Sequence, residues 1–217
     1  MLLNNLDSKT NTAPQRSLEW YKCRVGNITG SNFKLLINPN STIYKKYIYQ
    51  KATELILLTP QEDEVYQNKY IQYGIDNESK ARERYCQIKQ VEVKESGFIY
   101  YPTLHIGCSP DGIVSDGGII EIKCRQPYKH LEAIKAKMED KIKEYDKDAY
   151  LQCLYNMYIT KSQYCDYIQY NDSFIDNDIV IYRIERKQED MIYVDTILRK
   201  AIKDISEIVD CYYSYNL

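Results

Sequence analysis

The hydrophobic period of this chain changes from helical to alternating and back again, and that change limits its folds more than any other feature. Two stretches lie before residue 91. Thr29 or Ser31 can cap a short helix carrying Phe33, Leu35, Leu36 and Ile37, and the Asn38-Pro39-Asn40-Ser41 turn ends it before an amphipathic helix at about 42–58. A further helix is expected at about 64–89, with Gly74 as a candidate interruption, and the start of the chain is helical in character. From Val91 the apolar residues recur every second position. Strands are expected at Val91 and Val93, at 98–101, 104–108, 111–115 and 119–124. Helical spacing returns at about 128–144 and 147–159, strands at 163–170 and 178–186, and a last helix at about 188–212. Helices around a central mixed β-sheet predict an α/β (α+β) fold, and residues 1–217 hold no repeat or linker that would divide them, so one domain is expected.

Composition narrows the class. With 44% apolar and 28% charged residues among 217, disorder and collagen are excluded. No apolar run approaches a membrane span, and the start, Met1-Leu2-Leu3-Asn4-Asn5, lacks the basic and apolar regions of a signal peptide. A soluble, cytoplasmic protein without membrane contact is the expectation. Seven scattered cysteines with no C-x-x-C pair, and two histidines, read as reduced thiols rather than a zinc or cluster site. The 23 tyrosines fill cores as readily as they stack on bases. Residues 1–51 carry eight Lys/Arg against two acids, and residues 123–143 seven against three. A polyanion could use both stretches, and solvated helix faces could equally account for them.

The most informative stretch is Ser109-Pro110-Asp111-Gly112, a turn at Ser115-Asp116-Gly117-Gly118, then Glu121-Ile122-Lys123. Carboxylates on adjacent strands, with a lysine two residues beyond the second, suit metal-assisted phosphodiester hydrolysis. Hard Mg²⁺ takes oxygen ligands such as Asp111 and Glu121, and an alternating strand puts Glu121 and Lys123 on one face while Ile120 and Ile122 enter the core. Register tests the idea. Asp111 faces with Glu121 only if the strands pair with an even sum, which a three-residue loop of Asp116, Gly117 and Gly118 with a glycine bulge provides and a two-residue Asp116-Gly117 turn does not. An edge hairpin with a surface ion pair is the other reading of the same residues.

The block from Cys108-Ser109-Pro110-Asp111-Gly112 to Glu121-Ile122-Lys123-Cys124 resembles the core of the lambda-exonuclease family, the YqaJ-type viral recombinases of the PD-(D/E)xK nuclease superfamily. Upstream, the run from Trp20 through Arg24, Gly26, Ile28 and Thr29 to Ser31 is similar to that family's W-x-x-x-R-x-G-x-I-T-x-S opening. The Gly74, Glu78 and Ala81 run resembles its G-x-x-x-E-x-x-A helix, and Tyr150, Gln152, Tyr155 and Met157 its later Y-x-Q-x-x-Y-x-M helix. The four stand in the family's order and cover about residues 18–195.

The resemblance implies a restriction-endonuclease-like core with Asp111, Glu121 and the main-chain carbonyl of Ile122 as metal ligands. Lys123 is then the catalytic lysine and Glu78 the helical carboxylate that completes the acidic centre. Arg24, Ser31, Ser109 and Gln152 match positions that form a pocket for a 5′-terminal phosphate, and a guanidinium, two hydroxyls and an amide suit a dianion. Ile71, seven residues before Glu78, is a candidate strand-separating wedge, with core packing as the other reading. Arg125 departs from the pattern, standing where many relatives have Pro.

The implied activity is a Mg²⁺-dependent 5′ to 3′ exonuclease on double-stranded DNA ends, with Mn²⁺ as a substitute. It leaves 3′ single strands for a single-strand annealing protein, and a trimeric ring is the family's common assembly. A structure-specific or restriction-type endonuclease and a non-catalytic DNA-end binding module are the alternatives.

Overall fold

The computed structural model describes residue 3, residues 6–60 and residues 69–215, with residues 69–71 as backbone alone. A short strand β1 (Lys9–Asn11) precedes helix α1 (Leu18–Arg24), strand β2 (Ile28–Thr29) and a 3-10 turn at Gly30–Leu36. Helices α2 (Thr42–Leu57) and α3 (Lys69–Lys89) lead to strands β3 (Val93–Lys94), β4 (Phe98–Tyr101), β5 (Ile106–Cys108), β6 (Gly112–Val114) and β7 (Ile119–Cys124). Helices α4 (Pro127–Met138), α5 (Ile142–Tyr145) and α6 (Lys147–Thr160) connect β7 to β8 (Tyr164–Tyr170), and β9 (Ile179–Glu185) precedes α7 (Gln188–Ser214).

The expected mixed α/β class is present, but the strands divide into two sheets rather than one. The first has order β1-β4-β5-β2, with β2 parallel to β5, and the second has order β3-β6-β7-β8-β9, with β7 parallel to β8. Parallel strands need a long crossover, and α4 to α6 supply it. The chain passes between the sheets before β3, again after it, and for the last time between β5 and β6, at Ser109-Pro110. Proline has no N–H for a ladder, so the chain leaves one sheet there and enters the other.

Two apolar clusters cover the two faces of β7. Ile119 joins the larger one, with Ile106 of β5, Leu154 and Tyr155 of α6 and Leu198 of α7. Ile120 and Ile122 join the smaller one, against Ala81 and Tyr85 of α3 and Ile168 of β8. The strand alternation expected at 119–124 is therefore real, with both faces covered. The tyrosine excess is in large part structural. Tyr85 donates to Asp166 Oδ2 at 2.7 Å and Tyr155 to the Ile28 carbonyl at 2.6 Å, so buried rings carry their hydroxyls to acceptors.

Three local expectations change. The helix expected at 128–144 breaks after Met138, where Asp140 takes φ 56° and Lys141 N–H reaches back to the Ala136 carbonyl at 2.7 Å. Gly74 does not interrupt α3, which runs through it. The start is not simply helical, since β1 pairs with β4; β1 and β2 are three and two residues long, too short for periodicity to reveal. The part of the 64–89 helix before residue 69 lies outside the described residues. Among the described residues no helix is long and apolar enough to cross a membrane.

Candidate active site

The β6–β7 hairpin sets the carboxylates. Gly112 pairs with Ile120 and Ile113 with Ile119, which is the even register. The loop has three residues as expected, but they are Ser115, Asp116 and Gly117, one earlier than 116–118. Val114 N–H meets the Gly118 carbonyl at 2.8 Å, Gly117 N–H meets the Val114 carbonyl at 2.9 Å, and Gly117 takes φ 89° as the bulge residue. Just before β6, Asp111 N–H donates to the Ile120 carbonyl at 3.1 Å, while Asp111 Oδ2 accepts from Ile122 N–H at 2.6 Å. The carboxylate thus lies against the backbone of β7 beside Glu121.

Glu121 is 1% exposed, with both carboxylate oxygens in use. Oε1 accepts from Lys123 Nζ at 2.7 Å and Oε2 from Asn156 Nδ2 at 3.0 Å. Lys123 Nζ also donates to Gln152 Oε1 at 3.2 Å. Gln152 and Asn156 stand four residues apart on α6, one turn of one face. That helix is capped by Asp146, whose Oδ1 accepts from Ala149 N–H at 3.2 Å.

Glu78 stands on α3 between two guanidinium groups, Arg16 at 2.6 Å and Arg82 at 3.0 Å. Arg82 Nε also donates to the main-chain carbonyl of Asp111 at 3.0 Å, which joins the helical carboxylate to the hairpin. On the opposite side, Trp20 Nε1 donates to Ser109 Oγ at 2.9 Å, and the Arg24 guanidinium lies 4.1 Å from the centre of the Trp20 ring. Arg24, Ser31, Glu78, Ser109, Asp111, Glu121, Ile122, Lys123 and Gln152 together line one cleft of about 890 Å³, with Arg82 and Asn156 supporting Glu78 and Glu121 from outside its lining. The side chain of Ile71 lies outside the described residues.

Charge in the cleft is unevenly balanced. Burial, with Glu121 and Glu78 close by, holds the Asp111 carboxyl well above the usual carboxylate range. Burial raises Glu121 as well, against the pull of Lys123. Burial alone would lower Lys123, but Glu121 and Asp111 outweigh it and raise its pKa, so the amine stays an ammonium and donates. The neighbouring Cys124 thiol is pushed up to about 12 by burial and by Glu78 and Asp111, and remains neutral.

These residues fit a hard divalent cation. Buried Glu121 and half-buried Asp111, both with raised pKa values, and the Ile122 carbonyl between Glu121 and Lys123 are the oxygen donors such an ion takes, and its charge would favour their ionised forms. Among the described residues no three His, Cys, Asp or Glu side chains group as a metal cage, and Glu78 is held by Arg16 and Arg82.

Sequence reasoning missed Arg16, Arg82 and Asn156. Arg82 and Asn156 were within reach, lying four residues after Glu78 and Gln152. Arg16 carried no signal, since it reaches Glu78 from a loop where it takes φ 69°.

The architecture defines a mixed α/β protein whose two sheets bring an acidic, lysine-containing cleft to the end of β7. The chain belongs to the family of the YqaJ-like viral recombinase domain, whose model matches residues 19–163. It is similar to the alkaline exonuclease LHK-Exo from Laribacter hongkongensis, at 27% identity over 92% of this chain and 98% of that one, with a TM-score of 0.80. The structure of LHK-Exo in complex with dAMP matches equally well, with a TM-score of 0.80. A phage related exonuclease from Haemophilus somnus 129PT shares the fold at 16% identity, over 85% of this chain and 95% of that one, with a TM-score of 0.62. No curated protein sequence matches. Family membership and the likeness to LHK-Exo support a nuclease.

Proposed function

We propose that the protein is a metal-dependent deoxyribonuclease that degrades one strand of duplex DNA from its 5′ end and leaves a 3′ single strand. The observation that carries the reading is the position of Lys123, whose ammonium touches both the buried Glu121 carboxylate and the Gln152 amide. Hydrolytic machinery and the donors for a terminal phosphate therefore share one cleft.

Asp111, Glu121 and the Ile122 carbonyl would hold the cation, Mg²⁺ with Mn²⁺ as substitute. When bound, the ion supplies Lewis-acid polarisation of the phosphoryl group and a more acidic water. Lys123 donates to charge developing on the phosphoryl oxygens, and Glu121 fixes its direction. Asn156 holds Glu121 in turn. Ser109 Oγ accepts from Trp20, so its own O–H is turned to donate; Gln152 accepts through its oxygen, so its N–H is the part offered to an anion. Arg24, spread over the Trp20 ring, brings a guanidinium to the same terminal dianion.

The same reading takes DNA ends as substrate, recombination through a single-strand annealing protein as context, a homo-oligomeric ring as assembly and the cytoplasm as compartment. Incubating 5′-phosphorylated linear duplex and closed circular duplex with and without Mg²⁺ tests it. Progressive loss of the linear form alone, only with metal, is expected. Cutting of the circle would indicate an endonuclease, and a shifted but intact band a binding module.

A further inference from the structure

A second cavity, of about 520 Å³, adjoins the catalytic cleft beyond the end of β7. Cys124 and Arg125 line both spaces, so the two share a wall. Tyr73, Pro127, Tyr128 and Asn171 are among the residues of its wall. The Tyr73 ring is fixed by its hydroxyl, which donates to Asp172 Oδ1 at 2.7 Å. Tyr128 is 56% exposed, and Lys129 Nζ lies 5.4 Å from its ring centre. At the shared wall, Arg125 pairs with Asp146 through one terminal nitrogen, while its buried Nε has no hydrogen-bond partner. A buried N–H without an acceptor is rare and marks a demand for one.

These features match the two halves of a nucleotide. A flat aromatic wall takes a base by its face, whichever base it is, and a guanidinium N–H at the edge takes a phosphate oxygen. The volume lies within the range of ordinary small-ligand pockets, roughly 300–1,000 Å³. The wall shared with the cleft, and the cations Arg125 and Lys129 in the lining, favour a nucleic-acid strand over an apolar peptide.

We propose that this cavity is a nucleobase subsite of the catalytic cleft. It holds the base of a nucleotide next to the cleaved phosphodiester, stacked on Tyr128, while that nucleotide's phosphate meets the exposed side of the Arg125 guanidinium. The inference rests on the nuclease reading and extends it: the enzyme grips its strand by a base as well as by its end.

The test is a set of 5′-phosphorylated duplexes, each with one abasic residue at one of the first few positions of the degraded strand. At one position the wild-type protein should show KM raised about tenfold. Tyr128→Ala should show that rise on unmodified DNA and no further rise at the abasic position, and Tyr128→Trp should restore wild-type behaviour. Sensitivity at no position, or an abasic effect undiminished in Tyr128→Ala, overturns the subsite. The nuclease reading is judged separately, by wild-type hydrolysis of unmodified duplex. If that hydrolysis is absent, 2-aminopurine single strands still decide the subsite: quenching by wild type but not by Tyr128→Ala supports it, and equal quenching refutes it.

Discussion

Lys123 Nζ lies 2.7 Å from Glu121 Oε1, and the two side chains leave the same face of β7 two residues apart. This ion pair makes each partner the other's support. Lys123→Ala should lower turnover strongly while cation binding changes little, because an ammonium is no Mg²⁺ ligand. Asp111→Ala and Glu121→Gln should each lower metal-dependent hydrolysis by at least about a hundredfold and leave DNA binding intact or tighter, since fewer acids then repel phosphate. Rates beside gel-shift affinities in EDTA check this. Near-normal cleavage by either carboxylate variant would refute the assignment.

End selectivity follows from the other side of the cleft. Charge-assisted hydrogen bonds to a terminal dianion are worth roughly 1.5–3 kcal/mol each, so a 5′-phosphate should speed degradation over a 5′-hydroxyl by at least about tenfold. Arg24→Ala should erase most of that preference by slowing the phosphorylated end alone. If both ends slow alike, Arg24 is a general backbone contact, and the salt dependence will change instead.

The pH profile carries the sign of the buried carboxylates. Asp111 and Glu121 both have raised pKa values, so as pH falls they gain protons while an ordinary carboxylate, near about 4, is still charged. Protons and cation compete for the same oxygens. The acid limb of activity should therefore lie above the usual carboxylate range and move to lower pH as Mg²⁺ is raised. An acid limb that stays fixed at every Mg²⁺ concentration would mean that these two groups do not hold the ion.

Stability should depend on a buried pair that lines a neighbouring cavity with Arg24 and Ser31. Glu54 and Lys51 are 1% and 2% exposed and 2.8 Å apart, and Glu54 Oε2 also accepts from Gly26 N–H at 2.7 Å. Glu54→Ala removes a buried carboxylate from beside Lys51 and the acceptor of Gly26 N–H, and should cost about 3 kcal/mol. At this chain length that corresponds to a melting point lower by roughly 10 °C. Replacing both partners, with Lys51→Met and Glu54→Leu, should recover part of the loss. A melting point unchanged by Glu54→Ala would show that the pair is expendable.

How much could be read in advance depended on whether a residue's role was local. The shared face of Asp111, Glu121 and Lys123 was legible because a strand alternates and a hairpin has only two parities, so the even parity followed from a three-residue loop, although Gly112 pairs with Ile120 and not with Ile122 as a 116–118 loop would have it. Arg82 could have been read as the i,i+4 partner of Glu78. The two-sheet division was harder. It rests on Pro110 together with two- and three-residue strands, whose partners lie far along the chain. Arg16 was not legible, because its place beside Glu78 is set by tertiary folding and a left-handed backbone.

Helix α6 reaches the cleft through Gln152 and Asn156, one holding Lys123 and the other Glu121. The rest of the helix is packed on nearly all sides, with Leu151, Leu154, Tyr155 and Met157 buried. The helix thus acts as a jig that sets two reactive groups with a single part. A small repacking beneath it, such as Met157→Ala, displaces both groups at once though it touches neither DNA nor metal, and misplacement by about 1 Å can cost a hundredfold in rate. Variants with silent surfaces and intact ligands can therefore be inactive for a mechanical reason, and losses from α6 core changes and from Lys123 changes will overlap instead of adding.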